Sequence, residues 1–123
     1  MPEIKELNPT AELVLNLATK IVDPPNIRLT VRPLSFLKAI DIMNTEKKAP
    51  EYSRVLVEEV LDCVVGWDLM KAGEPIPVTE VTKGAYLAPL LREAVLDEKG
   101  TVKNLLIFEI RDFAGATENF LKN

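Results

Sequence analysis

The sequence predicts a mainly α fold, an α+β arrangement whose β part is small, and three observations carry that expectation. The run Pro50-Glu-Tyr-Ser-Arg-Val-Leu-Val-Glu-Glu-Val-Leu-Asp-Cys-Val-Val-Gly-Trp67 sets Tyr52, Val55, Leu56, Val60, Cys63, Val64 and Trp67 at the spacing of one helical face. Only residues 27–32 alternate strictly enough for a strand, and no second stretch matches them in quality. The chain has 123 residues, 47% of them apolar, which suits a single domain over 1–123 with helices packed around the segment 50–66.

In chain order, Asn8-Pro9-Thr10 reads as a helix entry, and Leu13, Val14, Leu17, Ala18, Ile21 and Val22 follow helical spacing. Alternation at Leu13, Leu15 and Leu17 leaves a strand open for the same residues. Asp23-Pro24-Pro25-Asn26 ends the element, because two prolines cannot continue a helix. Ile27, Leu29 and Val31 then face one way and Arg28, Thr30 and Arg32 the other, and Pro33 closes this strand, placing it at a sheet edge or making its end irregular. Its partner is left open among the N-terminal segment, residues 76–78 and another subunit.

Ser35 is a candidate N-cap for a helix whose stripe is Phe36, Leu37, Ile40 and Met43, and residues 44–49 form a polar connector. In the central helix Pro50 suits the first turn and Gly66 the exit. Val57, Leu61 and Val65 widen its apolar face, leaving Glu51, Ser53, Arg54, Glu58, Glu59 and Asp62 as a solvated strip. Residues 68–77, with one glycine and two prolines, require a turn or a tight hairpin-like excursion. Thr79 or Thr82 caps the next helix, in which Leu87, Leu90, Leu91, Ala94 and Val95 are the buried side and Pro89 fits only a first turn or a kink. From Thr101 the positions Val102, Leu106, Ile110, Phe113, Thr117, Phe120 and Leu121 support a last helix, although Leu105-Leu-Ile-Phe108 alone would pass as a strand. Gly115 weakens its far end, so residues 116–123 are expected to form a mobile tail.

Composition narrows the function. Net charge is −4, so no basic field exists to hold a nucleic-acid backbone or an anionic membrane. No apolar run is long enough for a membrane span, and Met-Pro-Glu-Ile-Lys-Glu lacks a leader pattern, so a cytoplasmic protein is expected. The chain contains no histidine, which removes imidazole-based triads and zinc sites. The five glycines are isolated, so no phosphate-cradling loop is present. Glu58, Glu59 and Asp62 are too few for a metal site and read as surface, while Ser35 and Ser53 have no base to activate them. No catalytic residue, cofactor or metal is therefore expected.

Tyr52, Leu56, Val60, Cys63, Val64 and Trp67 are assigned to the core, with Cys63 a buried, inert thiol. Arg28 and Arg32, on one strand face, and Phe113, Phe120 and Leu121, near the C-terminus, are the candidate partner-binding residues. Their selection rests on expected exposure.

The pieces Leu29-Thr-Val-Arg-Pro-Leu-Ser-Phe36, Val64-Val-Gly-Trp-Asp68 and Gly73-Glu-Pro-Ile-Pro-Val-Thr79, taken in order, resemble the small tail assembly chaperones of tailed bacteriophages and prophages. The resemblance spans roughly residues 27 to 95 and does not include the segment up to Val22. It implies a mostly helical, non-enzymatic protein that binds the tape measure protein during tail morphogenesis, is missing from the finished virion and often oligomerises. Two other readings stand beside it: a structural virion component such as a terminator or connector, and a small carboxylate-dependent enzyme or regulator.

Overall fold

The computed structural model describes the backbone of residues 1–3, 9–44 and 50–121, with all their side chains except those of residues 36, 38, 39, 41, 50–52 and 117. Asn8, the connector residues 45–49, the last two tail residues and the side chain of Tyr52 thus lie outside the described set. In chain order come β1 (Ala11–Leu17), β2 (Asn26–Val31), α1 (Phe36–Asn44), α2 (Pro50–Cys63) and β3 (Val64–Trp67). A small hairpin of β4 (Met70–Lys71) and β5 (Glu74–Pro75) precedes a helical stretch that opens as α3 (Glu80–Thr82). The chain closes with β6 (Ala94–Leu96), β7 (Val102–Leu105), α4 (Leu106–Gly115) and a 3-10 turn at Thr117–Phe120.

The mainly α expectation is overturned. Five antiparallel strands form one sheet in the order β3-β2-β1-β6-β7, with β4 and β5 as a separate two-stranded pair. The N-terminal element is a strand because its alternation is matched residue for residue by β2: Leu13 faces Leu29, and Leu15 faces Ile27. Cross-strand pairs of this kind outweigh the competing helical spacing. β2 lies inside the sheet, between β1 and β3, and Pro33 falls just beyond its end.

Three further boundaries differ from the sequence reading. The central helix stops at Cys63, and Val64 begins β3, so Gly66 and Trp67 belong to the sheet. Gly66 is needed there, since a Cβ would lie 3.0 Å from Thr30 Cβ and Oγ1 on β2. Ala94 and Val95 belong to β6, which pairs with β7 before α4 begins at Leu106. Between Thr79 and Arg92 the helix is uneven. Thr79 caps it, accepting from Thr82 N–H at 3.1 Å, and Ala88 N–H then reaches back five residues to the Lys83 carbonyl. This wide turn is followed by a tight 3-10 turn at Ala88–Arg92. Pro89 accounts for the sequence of wide and tight turns, because its ring cannot follow the carbonyl four residues earlier in a regular α-helix.

The core lies between one face of the sheet and the helices. Leu15, Leu17, Ile27, Leu29, Val31 and Val95 project into it from the strands. Leu56, Val60 and Cys63 meet them from α2, and Leu106, Ile110 and Ala114 from α4, with Leu87, Leu90 and Leu91 closing one side. In α1, Ile40 of the predicted stripe and Ile42 outside it are half-buried, while Leu37 and Met43 of the stripe are exposed and the Phe36 side chain lies outside the described set. Glu12, Val14, Asn16 and Arg28 point from the opposite sheet face into solvent. Among the described residues no helix is long and apolar enough to cross a membrane.

Candidate functional site

The sheet ends in a groove of about 720 Å³ between the β1–β2 connection and the β4–β5 hairpin. Buried Ile27, Leu69 and Leu90 form its floor. Ile21, Val22, Asp23 and Pro24 make one wall, and Met70, Lys71, Ile76 and Tyr86 the other. Two large apolar side chains stand in solvent on opposite walls, Ile21 at 74% exposure and Met70 at 60%.

Each wall has a local cause. Trp67 donates its indole N–H to the Ile76 carbonyl at 2.7 Å, and Ile76 N–H donates to the Leu69 carbonyl at 3.0 Å, so the hairpin is pinned to the end of β3. The lone tryptophan is half-buried and acts as the clasp of that loop. The hairpin itself turns through Ala72 and Gly73, with φ of 53° and 79°. Two consecutive positive φ values are those of a type I′ two-residue hairpin turn. Asp68 fixes the β2–β3 end by accepting from Arg28 N–H at 3.0 Å, while its own N–H donates to the Arg28 carbonyl at 3.2 Å.

Lys71 and Tyr86 are the polar feature of the far wall. The ammonium donates to the phenol oxygen at 3.2 Å and lies 5.4 Å from the ring centroid. The groove thus combines an apolar floor with a few polar groups at its rim.

The candidate partner-binding residues do not form a common site. Arg28 is exposed on the open sheet face, and Arg32 is half-buried, with Nη1 donating to the Pro33 carbonyl at 2.9 Å. Phe113 and Phe120 stack edge to face, their centroids 5.7 Å apart. Phe120 is only 7% exposed and is therefore part of the core, which corrects its reading as surface, whereas Leu121 is exposed. Of the assigned core residues, Leu56, Val60, Cys63 and Val64 are buried.

Glu59 also departs from the sequence reading. It is 1% exposed, where the helical pattern put it on the solvated strip with Glu58 and Asp62. Its carboxylate accepts from Ser35 N–H at 3.3 Å, at the start of α1, and from Cys63 Sγ at 3.6 Å. A negative charge at a helix N-terminus is favourable there. Burial, followed by the Glu59 carboxylate, pushes the Cys63 thiol up to about 12, so it is not a nucleophile near neutral pH. No group of three or more His, Cys, Asp or Glu among the described residues is placed to hold a metal ion.

Sequence reasoning missed Ile21, Met70, Lys71, Tyr86 and Glu59. The turn signal over residues 68–77 identified the hairpin but not what it faces, because the opposite wall comes from a segment read as helical. Comparison of the chain with family models, with curated proteins and with solved structures finds no match.

Proposed function

We propose that this protein is a non-enzymatic assembly chaperone of the phage-tail type, acting by protein–protein contact on the tape measure protein in the cytoplasm of the host. The observation that carries the reading is the groove at the end of the sheet, whose walls hold Ile21 and Met70 in solvent over a buried floor. Exposing two such side chains at one cleft costs solubility unless they meet a partner. An assembly chaperone needs a cleft that covers an apolar client segment and later releases it. The ordered sequence pieces at residues 29–36, 64–68 and 73–79 support the same reading, and two of them build the groove's β3 end and hairpin wall.

Co-expression with the tape measure protein tests it. The wild-type chain is expected to raise the soluble fraction of the client, and the pair Ile21→Glu and Met70→Glu to abolish that gain while leaving the melting temperature unchanged. An unaltered client solubility with the wild-type chain defeats the proposal. Recovery of the chain in purified particles would point to a virion component in its place.

A further inference from the structure

The two walls of the groove carry opposite charges. Asp23, on the β1–β2 connection, is exposed on one side, and Lys71, on the β4–β5 hairpin, is exposed on the other with its ammonium against Tyr86. Among the described residues neither forms an ion pair, although Glu74 stands opposite Lys71 in the hairpin register. Asp68 also lines the groove, but its carboxylate accepts the Arg28 N–H at 3.0 Å and serves to hold the strand end. The backbone at the groove is largely committed as well. Ile76 donates to the Leu69 carbonyl and accepts from the Trp67 indole, Asp68 N–H donates to the Arg28 carbonyl, and Pro24 has no N–H to give. An extended segment needs a ladder of unpaired backbone groups, whereas a helix arrives with its own backbone bonds closed. Walls of side chains suit a helix.

Taking the groove as the client site, we infer that the segment it holds is an amphipathic helix whose apolar stripe has one basic and one acidic flank. The stripe lies over buried Ile27, Leu69 and Leu90, between Ile21 and Met70, with the basic flank against Asp23 and the acidic flank against Lys71. Turning a helix end for end exchanges its flanks. The opposed charges therefore fix the direction in which the helix lies as well as its composition. Charges at an exposed rim choose among partners more than they add affinity, since a like charge brought against either wall is repelled. A helix with the same sign on both flanks meets one wall of its own sign and is disfavoured.

The test is fluorescence anisotropy of labelled, side-chain-cyclised helical peptides titrated with the full chain. All share one stripe of leucine and methionine and differ in their flanks: lysine on one side and glutamate on the other, lysine on both, or glutamate on both. At low ionic strength the wild-type chain is expected to bind the mixed peptide about fivefold or more tighter than either uniform one, and added salt should erase the preference. Lys71→Glu makes both walls acidic and should transfer the preference to the lysine peptide. Asp23→Lys should transfer it to the glutamate peptide, and the two changes together should restore the mixed one, with melting temperatures confirming the fold of each variant. Ile21→Ser with Met70→Ser, which adds no charge, should weaken all three peptides and so assigns the binding to the groove. Equal binding of the three peptides by wild type, or a ranking that neither Lys71→Glu nor Asp23→Lys alters, overturns the inference and leaves the groove as client site intact. Binding of none of them, or binding that survives Ile21→Ser with Met70→Ser, overturns both.

Discussion

At Glu59 a single side chain joins two helices, because its carboxylate, 1% exposed on α2, accepts the Ser35 N–H that opens α1. Replacing it with alanine strands that donor and is expected to cost about 1–3 kcal/mol. Glu59→Gln keeps an acceptor and should cost less, and urea titration of the two variants against wild type checks the order. Cys63, one turn further on, gives a pH-dependent counterpart. Its thiol keeps its proton up to about 12 in the fold, against 9.0 unperturbed, so the unfolded chain loses that proton first as pH rises. Stability is therefore full below pH 9 and falls from there towards 12. Urea midpoints between pH 8 and about 11 should decline more steeply for wild type than for Cys63→Ala. Ala72 shows the remaining residue-scale effect, since its φ of 53° suits asparagine better than alanine. Ala72→Asn should stabilise the hairpin by about 0.5–1 kcal/mol, read as a raised melting temperature.

At the scale of elements, periodicity was informative where one face alone was buried and misleading where strands had helix-compatible spacing. Ile27, Leu29 and Val31 alternate against Arg28 and Thr30, and that contrast is visible because one sheet face meets solvent. In β1 the apolar residues Leu13, Val14, Leu17 and Ala18 satisfy both periods, and only the register with β2 decides between them. Val64 continues the apolar row of α2 in sequence, so nothing local marks the change from helix to strand at Cys63. That change is imposed by pairing with β2, seen in Arg32 N–H donating to the Cys63 carbonyl at 2.8 Å. Gly66 was legible as a break but for the wrong reason, helix exit in place of close approach to Thr30. Gly66→Ala forces its Cβ against a β-branched side chain that Glu12 also holds, through a 3.1 Å bond from Thr30 Oγ1. A loss of about 1–3 kcal/mol is expected from this overpacking, and thermal denaturation by circular dichroism measures it.

For the whole molecule, the sheet order was out of reach of sequence because it depends on contacts between segments far apart in the chain. β6 and β7, residues 94–105, join the sheet on the far side of β1, so the N-terminal hairpin ends up in the centre and is covered by α2 and α4. The groove inherits this arrangement, drawing one wall from the β1–β2 connection and the other from residues 70–86, two segments that no local pattern links. A single core joining β1, β2, β3 and β6 to α2 and α4 should unfold as one unit. Val60 is fully buried on α2, packed in the same cluster as Leu29, Leu87 and Ile110. The side chains clustered with it are apolar, and burying a carboxylate among them costs more than a domain of this size has to spare. Val60→Asp is therefore expected to unfold the sheet together with the helices. Far-ultraviolet circular dichroism should collapse, and the fluorescence of Trp67, which reports the clasp onto Ile76, should move to the emission of exposed indole in the same sample. Retention of the Trp67 signal alongside lost helicity would mean that the sheet end and its groove stand independently of α2, contrary to the shared core.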